Sequence, residues 1–168
     1  MHVLTREITI HIQNQVVTFS ENLSSIVHRQ VTVEAPVAFF ATKNAGQGNI
    51  GFNQNIIFED VGLNLGNAYR PGHGLFIVPR AGIYLFSTTL LTKHINTEEI
   101  HVAITVNGNI VAAVFGEPDA GGYDQSTHTV ILNLKVNDEV YVRNIHYSNE
   151  FVYGGAYSSF SGVLLYGI

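Results

Sequence analysis

Residues 58–88 read FEDVGLNLGNAYRPGHGLFIVPRAGIYLFST, and the placing of aromatic, Asn and Gly positions within them decides the fold. Counting from Phe58, Asn64 follows after five intervening residues, Tyr69 after four more, Phe76 after six and Gly82 after five, with Tyr84 and Phe86 alternating beyond it. Phe76-Ile77-Val78 stops at Pro79-Arg80-Ala81-Gly82, and an extended pattern resumes from Ile83 to Leu90. Proline fixes φ and withholds a donor while glycine tolerates close approach, so the stretch reads as strand, turn, strand.

The same period-two text continues outward. Ile100, Val102, Ile104 and Val106 alternate with small or polar neighbours up to Asn107-Gly108, and Ile110 to Phe115 follows at once. An Asn-Gly pair between alternating runs predicts a type I′ hairpin, whose two central residues both need positive φ. Val130, Leu132 and Leu134 alternate likewise, Asn137-Asp138 turns the chain, and Val140, Val142 and Ile145 return it. About ten short strands with turn signals every 8 to 12 residues predict an all-β, two-sheet sandwich of jelly-roll type. In it, Gly82 and Gly162 read as positions where a side chain does not fit.

Composition bounds the rest. A length of 168 residues with 46% hydrophobic content suits one compact domain with a sizeable core. Only 12% of residues are charged and the formal net charge is −5, so there is no sustained basic field for nucleic acid or an anionic membrane. No run approaches the ~20 apolar residues of a membrane span. The absence of cysteine excludes disulfides, thiolate metal sites and a Cys nucleophile.

The spacing from Phe58 to Phe86 resembles the signature of the complement C1q globular-head family, which closes with one more aromatic where this chain has Thr88. Ser159-Phe160-Ser161-Gly162, followed by Val163, Leu164, Leu165 and Tyr166, looks like that family's closing strand. Tyr123-Asp124-Gln125-Ser126 and the Asn137 to Val142 segment are similar to its penultimate hairpin. The resemblance runs from Pro36 to Ile168 and implies a jelly roll that associates as a homotrimer. It divides the chain into an N-terminal arm, 1–34, and a globular domain, 35–168. Phe58, Tyr69, Phe76, Tyr84, Phe86, Tyr157, Phe160 and Tyr166 are then core or inter-subunit packing residues. The family is mostly extracellular, which implies secretion with the signal peptide removed; Asn22-Leu23-Ser24 is a compatible glycosylation sequon.

In the arm, Ile12, Val16, Phe19, Leu23 and Ile26 are spaced four, three, four and three, as in a short coiled-coil helix. Ile8, Ile10 and Ile12 alternate like a strand instead, and a loosely ordered arm is a third reading. No Gly-X-Y repeat is present, so functions that depend on a collagen stalk do not carry over.

No Gly-x-Ser-x-Gly elbow, His-Glu-x-x-His or phosphate-cradling loop appears, so no enzyme is expected. Two places invite metal. His94 and His101 flank a segment holding Glu98 and Glu99, the best local cluster of histidine and acid, with a solvated loop as the alternative. The Gly-rich loop from Phe115 to Asp124 brings Glu117, Asp119 and Asp124 together in sequence. The resemblance implies calcium near Asp124, with a second acid eight residues upstream, but Gly116 stands there. A polar turn capped by Asp124 is the alternative reading.

Stand-alone members of the family, such as those of bivalve molluscs, imply an innate-immune, lectin-like module that recognises microbial polysaccharide. Aromatic faces, amides and guanidinium groups suit sugar hydroxyls and acids, and Arg70, His73, Tyr147, Asn149 and Tyr153 lie on loops that carry such groups. A trimeric receptor ligand of the tumour-necrosis-factor kind and a metal- or biomineral-associated protein are the alternatives. Fold alone does not separate the three.

Overall fold

A computed structural model describes residues 35–93, 99–146 and 148–168. The arm of residues 1–34, with its helical, strand and loose readings, lies outside them, as do His94, Glu98 and Tyr147.

The described residues form twelve strands and no helix. They run as β1 (Ala38–Thr42), β2 (Gln47–Ile50), β3 (Asp60–Leu65), β4 (Tyr69–Arg70), β5 (Leu75–Ile77) and β6 (Gly82–Lys93). There follow β7 (Ile100–Val106), β8 (Asn109–Gly116), β9 (Tyr123–Leu134), β10 (Glu139–Asn144), β11 (Glu150–Val152) and β12 (Ser159–Gly167). Two five-stranded sheets, in the orders β3-β1-β12-β6-β9 and β4-β5-β10-β7-β8, make the sandwich, and β11 pairs with β2 in a small third sheet. All pairings are antiparallel. Crossovers such as β1 beside β12 put strands that are distant in sequence side by side, which is the jelly-roll arrangement.

The turn chemistry is as the residues dictate. Asn107 and Gly108 have φ of +50° and +84°, the two positive angles of a type I′ hairpin between β7 and β8. Asn137, at φ +70°, turns the chain between β9 and β10.

The core is aromatic. Phe58, Tyr69, Phe76, Tyr84, Phe86 and Phe160 are all buried, so these six pack within the subunit. At their centre is Phe39, stacked on Tyr69 at 4.6 Å and on Phe76 at 5.0 Å, with Phe160 edge-on at 5.0 Å. Offset and edge-to-face rings each contribute about 0.5–1.5 kcal/mol beyond the area they bury. The buried phenols find partners: Tyr69 OH donates to Phe58 O at 3.0 Å and Tyr84 OH to Arg80 O at 2.7 Å. Burial pushes the pKa of both hydroxyls up.

Thr88, which stands where the signature has an aromatic, lies inside β6 and is fully buried. Its hydroxyl donates to Ser159 O at 3.0 Å across to β12, so a polar group stands in the core with its bond satisfied. The glycine expectation holds at Gly82, where a Cβ would collide with Tyr166 O, and at Gly162, where it would come within 2.6 Å of the Phe86 ring and 2.7 Å of the Phe39 ring.

Candidate functional site

Two features of the described domain have surface chemistry beyond what folding requires. The first is the outer face of the β3-β1-β12-β6-β9 sheet. Alternation along β6 buries Tyr84, Phe86 and Thr88 and turns Leu85, Ser87 and Thr89 outward. Register then lines up Leu65, Ala38, Val163, Leu85 and Ile131 in one row across all five strands. The next row holds Leu63, Phe40, Ser161, Ser87 and Thr129, and Tyr166 extends the apolar side beside Ile83. Phe40 is 45% exposed, Ile131 64% and Tyr166 70%. Toward the other end the face is hydroxylated, with Ser87 bonded to Thr129 and Thr89 to Thr127, each at 2.9 Å. A face of this size that carries apolar side chains and hydroxyls and almost no charge has the chemistry of an interface.

The second feature is an aromatic cluster at the end of the sandwich where β9 and β12 begin. Tyr153 meets Tyr123 edge-on at 5.4 Å, Tyr157 at 6.2 Å and Phe151 at 6.2 Å. Lys93 Nζ stands 5.3 Å from the centre of the Tyr123 ring. Tyr153 is held by its backbone: its N–H donates to Leu91 O at 2.7 Å, and its carbonyl accepts from the buried Ser158 hydroxyl at 2.8 Å. Gly154 passes so close to Asn44 O that a Cβ would collide with it. The result is an open groove of about 350 Å³ lined by Asn44, Gly46, Phe151, Tyr153, Gly154 and Gly155. The backbone at Asn44 is fixed by Glu59, whose Oε1 accepts from Asn44 N–H at 3.0 Å and Ala45 N–H at 2.8 Å. Its Oε2 lies 3.4 Å from the buried Lys43 ammonium. Burial alone would raise the Glu59 pKa, but the bonds from Ala45 and Asn44 and the Lys43 charge outweigh it and hold the carboxyl below its usual range.

The described ligand candidates fall in two places. Arg70 ends β4, at the edge of the second sheet, with Nη1 donating to Asn67 O at 2.6 Å, and His73 lies in the turn that follows. Asn149 and Tyr153 flank β11, and Tyr153 reaches Tyr123 on β9, at the edge of the first sheet. Tyr157, read as core or inter-subunit packing, joins the tyrosine cluster and is 58% exposed. Sequence reasoning did not single out Tyr123 or Lys93, since only the β6–β9 pairing brings them beside Tyr153. It also passed over Phe40, Leu85 and Ile131, and named Val163 only as part of the closing strand. Their signal was there: strands whose outward positions stay apolar.

The acids of the β8–β9 loop behave as turn formers. Asp124 Oδ2 accepts from Glu117 N–H at 3.0 Å, and Gly122 N–H donates to Asp119 O at 2.7 Å across Gly121, at φ +78°. Calcium takes six to eight oxygens. Among the described residues, Glu117, Asp119 and Asp124 do not gather as a group of three side-chain ligands. Three metal-ligating side chains converge, among the described residues, at Glu99, His101 and His146.

The fold and the outer sheet face define a C1q- and tumour-necrosis-factor-like jelly roll. The C1q domain model matches residues 38–165, and the chain belongs to that family. It is similar to mouse complement C1q tumor necrosis factor-related protein 3, 33% identical over 138 residues, which are 81% of this chain and 54% of the relative. It is also similar to zebrafish caprin-2, 28% identical over 83% of this chain and 15% of that one. The chain thus spans about half the length of the first relative and less of the second. Among solved structures, the globular domain of zebrafish complement 1qA protein superposes with a TM-score of 0.66 at 15% identity, over 79% of this chain and 99% of that one. The Eiger TNF of S. frugiperda gives 0.66 at 12%, over 80% and 96%. Murine APRIL gives 0.62 at 11%, over 77% and 99%.

Proposed function

We propose that this chain is a secreted, non-enzymatic recognition module of innate immunity that acts as a homotrimer and binds microbial surface polysaccharide. Trimer formation uses the outer face of the β3-β1-β12-β6-β9 sheet, and the sugar is held at the tyrosine cluster. The observation that carries the ligand reading is the set of Tyr123, Tyr153 and Tyr157 beside a groove with the Asn44 amide and the Lys93 ammonium nearby. Tyrosine faces stack on the apolar sides of sugar rings, and amide and ammonium groups bond to hydroxyls and acids. Three such sites on one particle gain avidity for a repeating polymer without any new contact.

The test is binding of the purified chain to an array of microbial polysaccharides, with free-sugar competition, for the natural chain and for Tyr153→Ala and Tyr157→Ala. Loss of about 1 kcal/mol of stacking lowers affinity roughly fivefold per site, and more across linked sites. Binding that survives both substitutions contradicts the tyrosine reading. Saturable binding to one cell-surface protein, with no sugar competition, replaces it with a receptor ligand of the tumour-necrosis-factor kind. Uptake of several divalent ions per chain points instead to a mineral-associated protein.

A further inference from the structure

We infer that Glu99, His101 and His146 form a binding site for one divalent transition metal, with zinc as the best-suited ion. His101 is near the start of β7, Glu99 just precedes that strand, and His146 follows the end of β10. The β7–β10 pairing closes the 45-residue gap in sequence between the two histidines. The N–H of Ile145 donates to His101 O at 2.9 Å, which ties the two segments together beside the side chains.

The distances suit a shared metal ion as well as an ion pair. His101 Nε2 is 3.4 Å and His146 Nδ1 is 3.5 Å from the same carboxylate oxygen, Glu99 Oε1. A charge-assisted hydrogen bond is shorter, about 2.7–2.9 Å. Metal–ligand bonds of about 2.0–2.2 Å at a tetrahedral angle separate neighbouring ligand atoms by about 3.3–3.6 Å, which the two contacts to Glu99 Oε1 match. All three ligand atoms lie within 4.8 Å of one another. His101 Nε2 is buried and makes no hydrogen bond, although it faces the acid.

The rings are also held in place. The two imidazoles lie 4.1 Å apart, tilted by 31°, and the Phe115 ring packs edge-on against His101 at 4.7 Å. His146 N–H donates to Oδ1 of the buried Asn144 at 3.1 Å, fixing the entry of that residue. Each ligand side chain is about one third exposed, 33% for His101, 34% for His146 and 31% for Glu99. Two imidazoles and one carboxylate suit zinc and neighbouring ions better than calcium, which prefers oxygen alone. Three protein ligands leave the fourth position of a tetrahedron to water or to an outside donor.

The experiment is a calorimetric titration of the full chain with zinc chloride, repeated for His101→Ala, His146→Ala, Glu99→Gln and, as a control, His128→Ala. One zinc per chain is expected, with affinity falling by more than roughly tenfold in each of the first three and unchanged in the control. X-ray absorption on the zinc-loaded chain is expected to find two imidazoles in the metal's shell. Circular dichroism checks folding, and if the histidine variants lose structure, Glu99→Gln decides, because it keeps the side chain's shape. No zinc uptake, or uptake that a folded Glu99→Gln chain retains in full, overturns the site.

Discussion

Asn64 holds Tyr69 by both of that residue's backbone groups: its Nδ2 donates to Tyr69 O at 3.0 Å, and its Oδ1 accepts from Tyr69 N–H at 3.1 Å. This double bond set turns β3 into β4 and delivers the Tyr69 ring onto Phe39 in the core. Only a planar amide presents a donor and an acceptor side by side in that way. Replacing Asn64 with Ala removes both bonds, at about 0.5–1.5 kcal/mol each, so unfolding in urea is expected at a lower midpoint with an unchanged slope. An unaltered midpoint would mean that water replaces both bonds at no loss.

Gly162→Ala drives a methyl group to within 2.6 Å of Phe86 and 2.7 Å of Phe39, between rings that pack on both sides. Overpacking of this kind costs about 1–3 kcal/mol. Gly72→Ala is the matched control, because a Cβ there meets nothing within 4 Å. Thermal melts of the two variants should separate clearly, with Gly72→Ala near the natural chain. Equal melting temperatures would contradict the described core.

Two acids tie stability to pH. Asp138 is held low by the N–H of Lys135 at 2.7 Å, and then by the Asn107 amide at 2.8 Å. Glu59 is lowered as described above. A folded-state pKa below the unfolded one gives stability that is fully present above the unfolded value and lost as pH falls through the folded value. Stability is therefore expected to decline as pH drops below the ordinary carboxylate values of 4.5 for Glu59 and 3.8 for Asp138. Denaturation followed against pH checks this, and Glu59→Gln should flatten the upper part of the decline. A decline of the same size in that variant would remove Glu59 from the account.

Asp124 accepts from the Glu117 N–H with one carboxylate oxygen and, among the described residues, belongs to no group of three side-chain metal ligands. Melting temperature is accordingly expected to be the same in calcium and in chelator. A calcium-dependent rise that Asp124→Asn abolishes would establish a calcium site at Asp124.

The fold was legible because its grammar is local. Alternation, Asn107-Gly108 and the Phe58 to Phe86 spacing each specify backbone conformation within a few residues. What lay beyond reading was created by pairing. Nothing near Thr88 in sequence announces the Ser159 carbonyl that satisfies its hydroxyl. Phe39 lies outside the spaced signature, yet strand β1 carries it to the centre of the rings. His101 was read with His94, its neighbour in sequence, while the residue beside it in space is His146. The candidate sugar residues divided for the same reason, with Arg70 on β4 and Tyr153 beyond β11.

The central claim is association through the outer face of the first sheet, and its most direct test is sedimentation with light scattering. The natural chain is compared with a chain carrying Val163→Glu and Ile131→Glu, which place two carboxylates in the apolar row without touching the core. The account predicts a mass of three chains for the natural protein and of one chain for the folded double variant. A natural chain that sediments as a monomer, or a double variant that stays trimeric, would contradict it.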